Sequence, residues 1–268
     1  MKIITTEKIP IKLWLDDIEG GALSQAKNLA NLPFAFRHVA IMPDSHVGYG
    51  MPIGGVLATK NVIIPNAVGV DIGCGLCSVK TSLTEINKDT LKKIMGKIRE
   101  VVPLGFEHHK KRQDESLMPP QKGKYIIVER EYEKALRQIG TLGGGNHFIE
   151  IQKDTAKGNI WLMIHSGSRN FGLQIAEHYN KIAIELNKKI KSSVPENWEL
   201  AHLPVDSEEG EMYIREMQYA VDFALANRKL MMDRVVDIFK NETKCDSEPM
   251  INIAHNYAAL EEHFGEKV

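Results

Sequence analysis

Short apolar runs of strand length recur along the chain at residues 38–42, 55–59, 61–64, 77–81, 148–151, 160–164 and 250–253, most of them flanked by Gly, His or Asp. Elsewhere the apolar positions switch to helical spacing. Leu91, Ile94, Met95 and Ile98 form one stripe, with Asn87 or Asp89 placed to cap it and Pro103 to follow it. Ile175, Tyr179, Ile182, Ala183, Leu186 and Ile190 form a second. A third helix is expected from about 212 to 239, through Met217, Ala220, Val221, Ala224, Leu225, Met231, Val235 and Ile238. Such stripes predict packing roles, and only packing roles are assigned to these helices.

The stretch 107–124 (EHHKKRQDESLMPPQKGK) breaks both patterns. It reads as a long, solvated surface loop, with a mobile contact to a phosphate backbone as the alternative. His108 and His109 lie in this polar run and are not assigned as ligands. No repeat, low-complexity tract or Ser/Gly linker divides the sequence, which predicts a single domain over 1–268 with a helical insertion at about 172–240.

Composition narrows the class. A 43% hydrophobic content over 268 residues is enough for a packed core and excludes disorder. The longest apolar stretches are short and interrupted, so no membrane span is expected, and the N-terminus lacks the apolar region of a signal peptide. Three cysteines make a disulfide framework improbable and predict a reducing, cytoplasmic setting. A net charge of −1 argues against a globally basic nucleic-acid binder but leaves room for a local basic groove.

Chemistry concentrates at the ends of the strand-like runs: MPDSHVGYGMPIGG (42–55), NAVGVDIGCGLC (66–77), LGGGNHFIE (142–150), MIHSGSRNFG (163–172) and INIAHNY (251–257). Asp71 and Cys74 stand three residues apart on a turn loosened by Gly73. A carboxylate and a thiolate so spaced can converge on one divalent metal, or on a pair bridged by the sulfur. Cys74 and Cys77 also form a CxxC, which would suit a redox pair or half a zinc site. With no second CxxC, the favoured reading is Cys74 as ligand and Cys77 as the first buried residue of a strand.

His147, His165 and His255 each adjoin an apolar run. A lone histidine there is usually a hydrogen-bonded core residue. Three in equivalent contexts, with an Asp and a Cys, supply N, O and S donors for two closely spaced ions, and that mixture suits zinc, manganese or cobalt better than magnesium or calcium. The run Ser166 to Arg169 offers hydroxyls, backbone amides and a guanidinium to a phosphate, the alternative being a polar turn with a surface arginine. Asp44 is placed to orient His46 or to act as an acid or base.

These five segments, the last extended to INIAHNYAALEEHFGE, resemble the RtcB family of RNA-splicing ligases, in order and over nearly the whole chain. The resemblance implies an α/β (α+β) fold with mixed β-sheets flanked by helices. It implies GTP-dependent joining of RNA 3′-phosphate or 2′,3′-cyclic phosphate ends to 5′-hydroxyl ends, as in tRNA splicing and RNA repair, with two Mn2+ ions and a histidine–GMP intermediate. RNA ends (tRNA halves or broken RNA) and an archease-type activator are the implied partners. Metal ligation would fall to Asp71, Cys74, His147, His165 and His255, with Cys74 as the bridge. Asn146, His147, Phe148, Ile149, Glu150, His255 and Asn256 would line the guanine nucleotide, and Arg169 would bind a phosphate of the RNA.

The family's guanylylated histidine lies in an HGAGR-like motif downstream of INIAHNY, and no such motif occurs in these 268 residues. The sequence is therefore expected to be a C-terminally truncated member, inactive alone. Two further readings are a dinuclear metal-dependent phosphoesterase and an inactive metal- or RNA-binding paralogue.

Overall fold

The computed structural model describes residues 1–268. Its strands are β1 (Lys2–Ile4), β2 (Ile11–Leu13), β3 (Ala35–His46), β4 (Ile53–Thr59), β5 (Val62–Ile63), β6 (Gly75–Lys80), β7 (Phe148–Lys153), β8 (Ile160–Ser166), β9 (Leu203–Pro204), β10 (Ile251–Ala254), β11 (Glu262–His263) and β12 (Glu266–Lys267). Its helices are α1 (Gly20–Ala30), α2 (Pro65–Val68), α3 (Lys88–Val101), α4 (Ile127–Gln138), α5 (Asn170–Lys189) and α6 (Glu208–Thr243). Every strand-like run of the sequence contains or overlaps a strand. The span 172–240 holds most of α5 and α6, joined by a 3-10 turn at Glu196–Trp198 and by β9.

The chain folds into two compact units. The first comprises Met1–Val70, Ala176–Ile214 and Ala258–Val268. Its four-stranded sheet has the order β1-β2-β3-β4 and is mixed, because β2 runs parallel to β3 while the other pairs are antiparallel. Ile11, Leu13, Val39 and Ile41 from that sheet pack with Ala26 and Leu29 of α1. Burying these apolar side chains supplies the main favourable term in folding.

The second unit comprises Asp71–Ile175 and Arg215–Tyr257. Its sheet has the order β10-β6-β8-β7 and is antiparallel throughout. Inward-facing Cys77, Val79, Ile160, Leu162 and Ile164 meet Ile94 and Ile98 of α3 and Met231, Val235 and Phe239 of α6. The α3 cap is Asn87, whose side chain accepts from the Thr90 amide. α4 is capped from a distance. Buried Glu216 on α6 accepts from the amides of Ile126, Ile127 and Val128 through one carboxylate oxygen, where the helix dipole favours negative charge.

Register brings the chemistry of this unit to one end of its sheet. Gly75 pairs with Ser166 and with Ala254, and His165 pairs with both Leu76 and Phe148. In an antiparallel sheet, a strand that starts at that end has neighbours that finish there. Cys74 before β6, His147 before β7, His165 near the end of β8 and His255 after β10 therefore converge without a long loop.

The 107–124 segment is the largely exposed loop expected. It is irregular apart from a 3-10 turn at Glu115–Leu117, yet it is tied to α4 by the His109 amide on the Arg137 carbonyl and the Gln113 amide on the Leu136 carbonyl. His108 and His109 are half-buried, hydrogen-bonded to Gln138 and Arg234 respectively.

Candidate metal centre

Cys74 is the centre of the site. Its Sγ lies 3.2 Å from Nε2 of His165 and 3.6 Å from Nε2 of His147. His147 Nε2 is also 2.9 Å from Oδ2 of Asp71, and His165 Nε2 is 3.3 Å from Nε2 of His255. Two donor triads result, Asp71–Cys74–His147 and Cys74–His165–His255, with the sulfur common to both. All five ligands expected from the sequence come together.

Local structure sets each donor. The Cys74 amide donates to the Asp71 carbonyl and closes the tight turn that turns carboxylate and thiol toward each other. The His255 amide donates to the Cys74 carbonyl, and the Gly73 amide to the Asn256 carbonyl, so the last donor segment is sewn to the first. Asn256 also donates from its side chain to the Asp71 carbonyl at 2.8 Å. Glycine is required where Gly167 passes Asp71, since a Cβ there would overlap the carboxylate. Gly143, with φ +96°, is likewise required, because a Cβ would strike the guanidinium of Arg169.

The donor set fits a metal on the chemistry of its protons. His165 Nδ1 sits 3.1 Å from the Asn146 carbonyl. A carbonyl only accepts, so that nitrogen carries the proton and Nε2 turns a lone pair toward Cys74 and His255. That lone pair, beside the Cys74 sulfur and the His255 ring, is what a shared cation would draw on. For Asp71, burial works to raise the pKa, but hydrogen bonds from His147 and Cys74 overcome it and hold the carboxyl below its ordinary range. The Cys74 thiol is pushed up strongly, first by burial and then by the Asp71 carboxylate.

Cys77 takes the other role. It is 1% exposed on β6, its thiol donating to the Arg228 carbonyl, and burial pushes its pKa up to about 12. No disulfide links it to Cys74.

Arg169 adjoins the donors in an unusual backbone state. Its φ is +57°, costly for a side chain with a Cβ. In that conformation Nε donates to Thr141 Oγ1 and Nη2 to the Gly105 carbonyl. The nucleotide set divides by strand alternation: Phe148 stacks near His165, with ring centroids 5.4 Å apart, and Glu150 is exposed, whereas the Ile149 side chain packs against the core. The proposed orientation of His46 by Asp44 takes a different form. His46 Nδ1 meets the Asp44 main-chain carbonyl at 3.0 Å, not the carboxylate, because the two residues follow each other along β3.

Helix α6 does more than pack, contrary to expectation. Arg228 is wholly buried, and its guanidinium donates to the carbonyls of Gly73 and Ser166 and to Oδ1 of Asn252. Those partners flank Cys74 and His165 and stand three residues before His255. Asn227, also buried, holds the amides of Gly140 and Thr141 and the carbonyls of Thr141 and Gly167. The signal was present in the sequence. Arg228 falls on the apolar stripe between Ala224 and Met231, where a charged residue must have a polar partner.

Fold and site together define a protein whose antiparallel sheet presents two donor triads sharing one sulfur. Comparison with known proteins gives the same class a family. The sequence profile described as tRNA-splicing ligase RtcB matches residues 25–134 and 119–268. The RNA-splicing ligase RtcB of Escherichia coli (strain K12) is 35% identical over 293 residues, an alignment covering all of this chain and 71% of the relative. The tRNA-splicing ligases RtcB of Thermococcus kodakarensis and Pyrobaculum aerophilum are each 31% identical, and 65% of each is spanned. The chain belongs to the RtcB family.

Proposed function

We propose that this protein serves in the joining of RNA ends, linking an RNA 3′-phosphate or 2′,3′-cyclic phosphate to a 5′-hydroxyl with GTP and a pair of divalent ions, as in tRNA splicing or RNA repair. Manganese is the proposed metal, with zinc and cobalt as alternatives that the sulfur and imidazole donors would also suit. The observation that carries the reading is the sulfur of Cys74, shared by the two donor triads, in a family whose relatives are named RNA-splicing ligases. Two ions bound there would neutralise phosphate charge and align an in-line displacement.

The chain's own residues would do the holding. Asp71 and His147 flank the sulfur on one side, and His165 and His255 on the other. Asn146, Phe148, Ile149, Glu150, His255 and Asn256 would border the guanine nucleotide, Ile149 through its main chain. Arg169 would take a phosphate of the RNA, bidentate binding being the guanidinium's strength. The setting proposed is cytoplasmic, with an archease-type protein as activator. No helix is long and apolar enough to cross a membrane.

The decisive experiment offers the protein an RNA with 3′-phosphate and 5′-hydroxyl ends, Mn2+ and labelled GTP. Retention of GTP that requires Mn2+ and is lost in Cys74→Ala supports the reading. Phosphoester hydrolysis without GTP would instead establish a dinuclear phosphoesterase, which the same donors suit. Because no HGAGR-like motif is present, these residues are expected to hold GTP without forming a covalent GMP adduct; a stable histidine–GMP bond on denaturing gels would overturn that expectation.

A further inference from the structure

The segment that crosses beside Arg169 carries a side chain that the fold leaves wholly in solvent. Phe106 is 100% exposed, and Leu104 is 52% exposed on the same turn. A fully exposed phenylalanine gains nothing from folding. Its position is nonetheless fixed. The neighbouring Gly105 donates its amide to the Gly143 carbonyl at 2.7 Å and accepts from Arg169 Nη2 at 2.9 Å. The turn is thus built onto the guanidinium itself.

The charge on the segment after it is mainly basic. Lys110 and Lys111 follow on the same segment and are exposed, and Arg137 holds the Lys110 carbonyl at 2.6 Å. His108, two residues from Phe106, has its pKa lowered first by burial and then by the charges of Arg169 and Lys134. The turn that carries the ring is thus bonded to Arg169, and the charges of Arg169 and Lys134 reach His108 two residues on. Glu107 is the exposed acid of the run, set against Lys110, Lys111 and Arg112, and Arg112 is paired with Glu115 and Glu133.

We propose that Phe106 is a stacking platform for an unpaired nucleobase of the RNA end, with Lys110 and Lys111 on the adjoining phosphates and Arg169 on the terminal one. Single-stranded RNA is bound by this combination: an aromatic face accepts any base, and flanking cations follow the backbone. An exposed ring followed within five residues by two exposed lysines favours that occupant over an apolar protein partner, which would not select for cations. This inference rests on the RNA-joining function proposed above and adds to it a subsite for the base.

The test uses the full chain with Mn2+ and a fluorescein-labelled single-stranded RNA bearing a 3′-phosphate. Phe106→Ala and Phe106→Leu should each weaken binding about tenfold while Mn2+ content is unchanged, as expected for loss of one stacked base. Phe106→Trp should retain affinity, and its indole fluorescence should be quenched as RNA is added. If Leu binds as well as Phe, or the Trp is not quenched by bound RNA, the platform is wrong while the RNA reading stands. If the unaltered protein binds neither this RNA nor a 3′-hydroxyl control, the RNA reading itself fails and the platform with it.

Discussion

A thiol wedged between two imidazoles and beside a carboxylate is a different reagent from a thiol in a hydrocarbon core, and Cys74 and Cys77 supply both cases three residues apart. Replacing Cys74 by Ala removes the donor common to both triads, so Mn2+ retained after dialysis should fall to near zero. Replacing Cys77 by Ala should leave the metal content intact and lower stability by about 1–2 kcal/mol through the small cavity it opens. Equal metal retention in the two variants would sink the shared-sulfur centre. The elevated Cys74 pKa also fixes a direction in pH. A neutral thiol must lose its proton to ligate, so Mn2+ affinity should rise about tenfold per pH unit between 6 and 8 for each proton released. Asp71 contributes in the metal-free protein with the opposite dependence from a raised group. Its carboxyl lies below the unfolded value, so its stabilisation is present above that value and is lost as pH falls through the folded one. Titration calorimetry at several pH values, with acid unfolding of the metal-free protein, checks both signs.

At the scale of elements, the ends of β6, β7, β8 and β10 bring the donors to one end of the sheet, and Arg228 of α6 fixes their separation. Arg228→Lys keeps the charge but loses the planar fork that reaches two carbonyls and an amide at once. Mn2+ affinity should fall about ten- to hundredfold, as for other residues that orient ligands. The absorption bands of a cobalt-loaded sample should shift as well, which a loss of global stability alone would not produce. Seven of the twelve strands and the five candidate donors were legible in the sequence because those strands carry their own pattern and each donor sits where a pattern breaks, whereas β1, β2, β9, β11 and β12 are two- or three-residue strands too short to show a period. Three helices were not: α2 is a single turn of four residues, and two longer ones lacked a local signal. α1 buries Ala22, Ala26, Leu29 and Ala30, a stripe made mostly of residues too small to stand out. α4 has its N-terminus held by Glu216, nearly ninety residues away, so no local cap announced it. Arg228 was passed over for a related reason: periodicity records that a position faces inward but not what its polar atoms meet there.

For the whole molecule, a net charge of −1 is compatible with RNA because the cations are placed rather than numerous. Arg169 adjoins the donors, and Lys110 and Lys111 are exposed on the segment that follows its partner Gly105; affinity for a 3′-phosphate RNA should fall on raising salt from 50 to 200 mM, with a slope reflecting only two or three phosphates. A steep slope would point to a broad basic face instead. The sewing of Gly73 to Asn256 and of Cys74 to His255 has a consequence for time rather than geometry. Both amide protons sit on the hinge between ligand segments, and they can exchange with solvent deuterium only when those segments part. Metal loading should slow their exchange far more than that of amides in β1 or β11, so two backbone protons would keep a running record of the centre's occupancy whichever ion fills it.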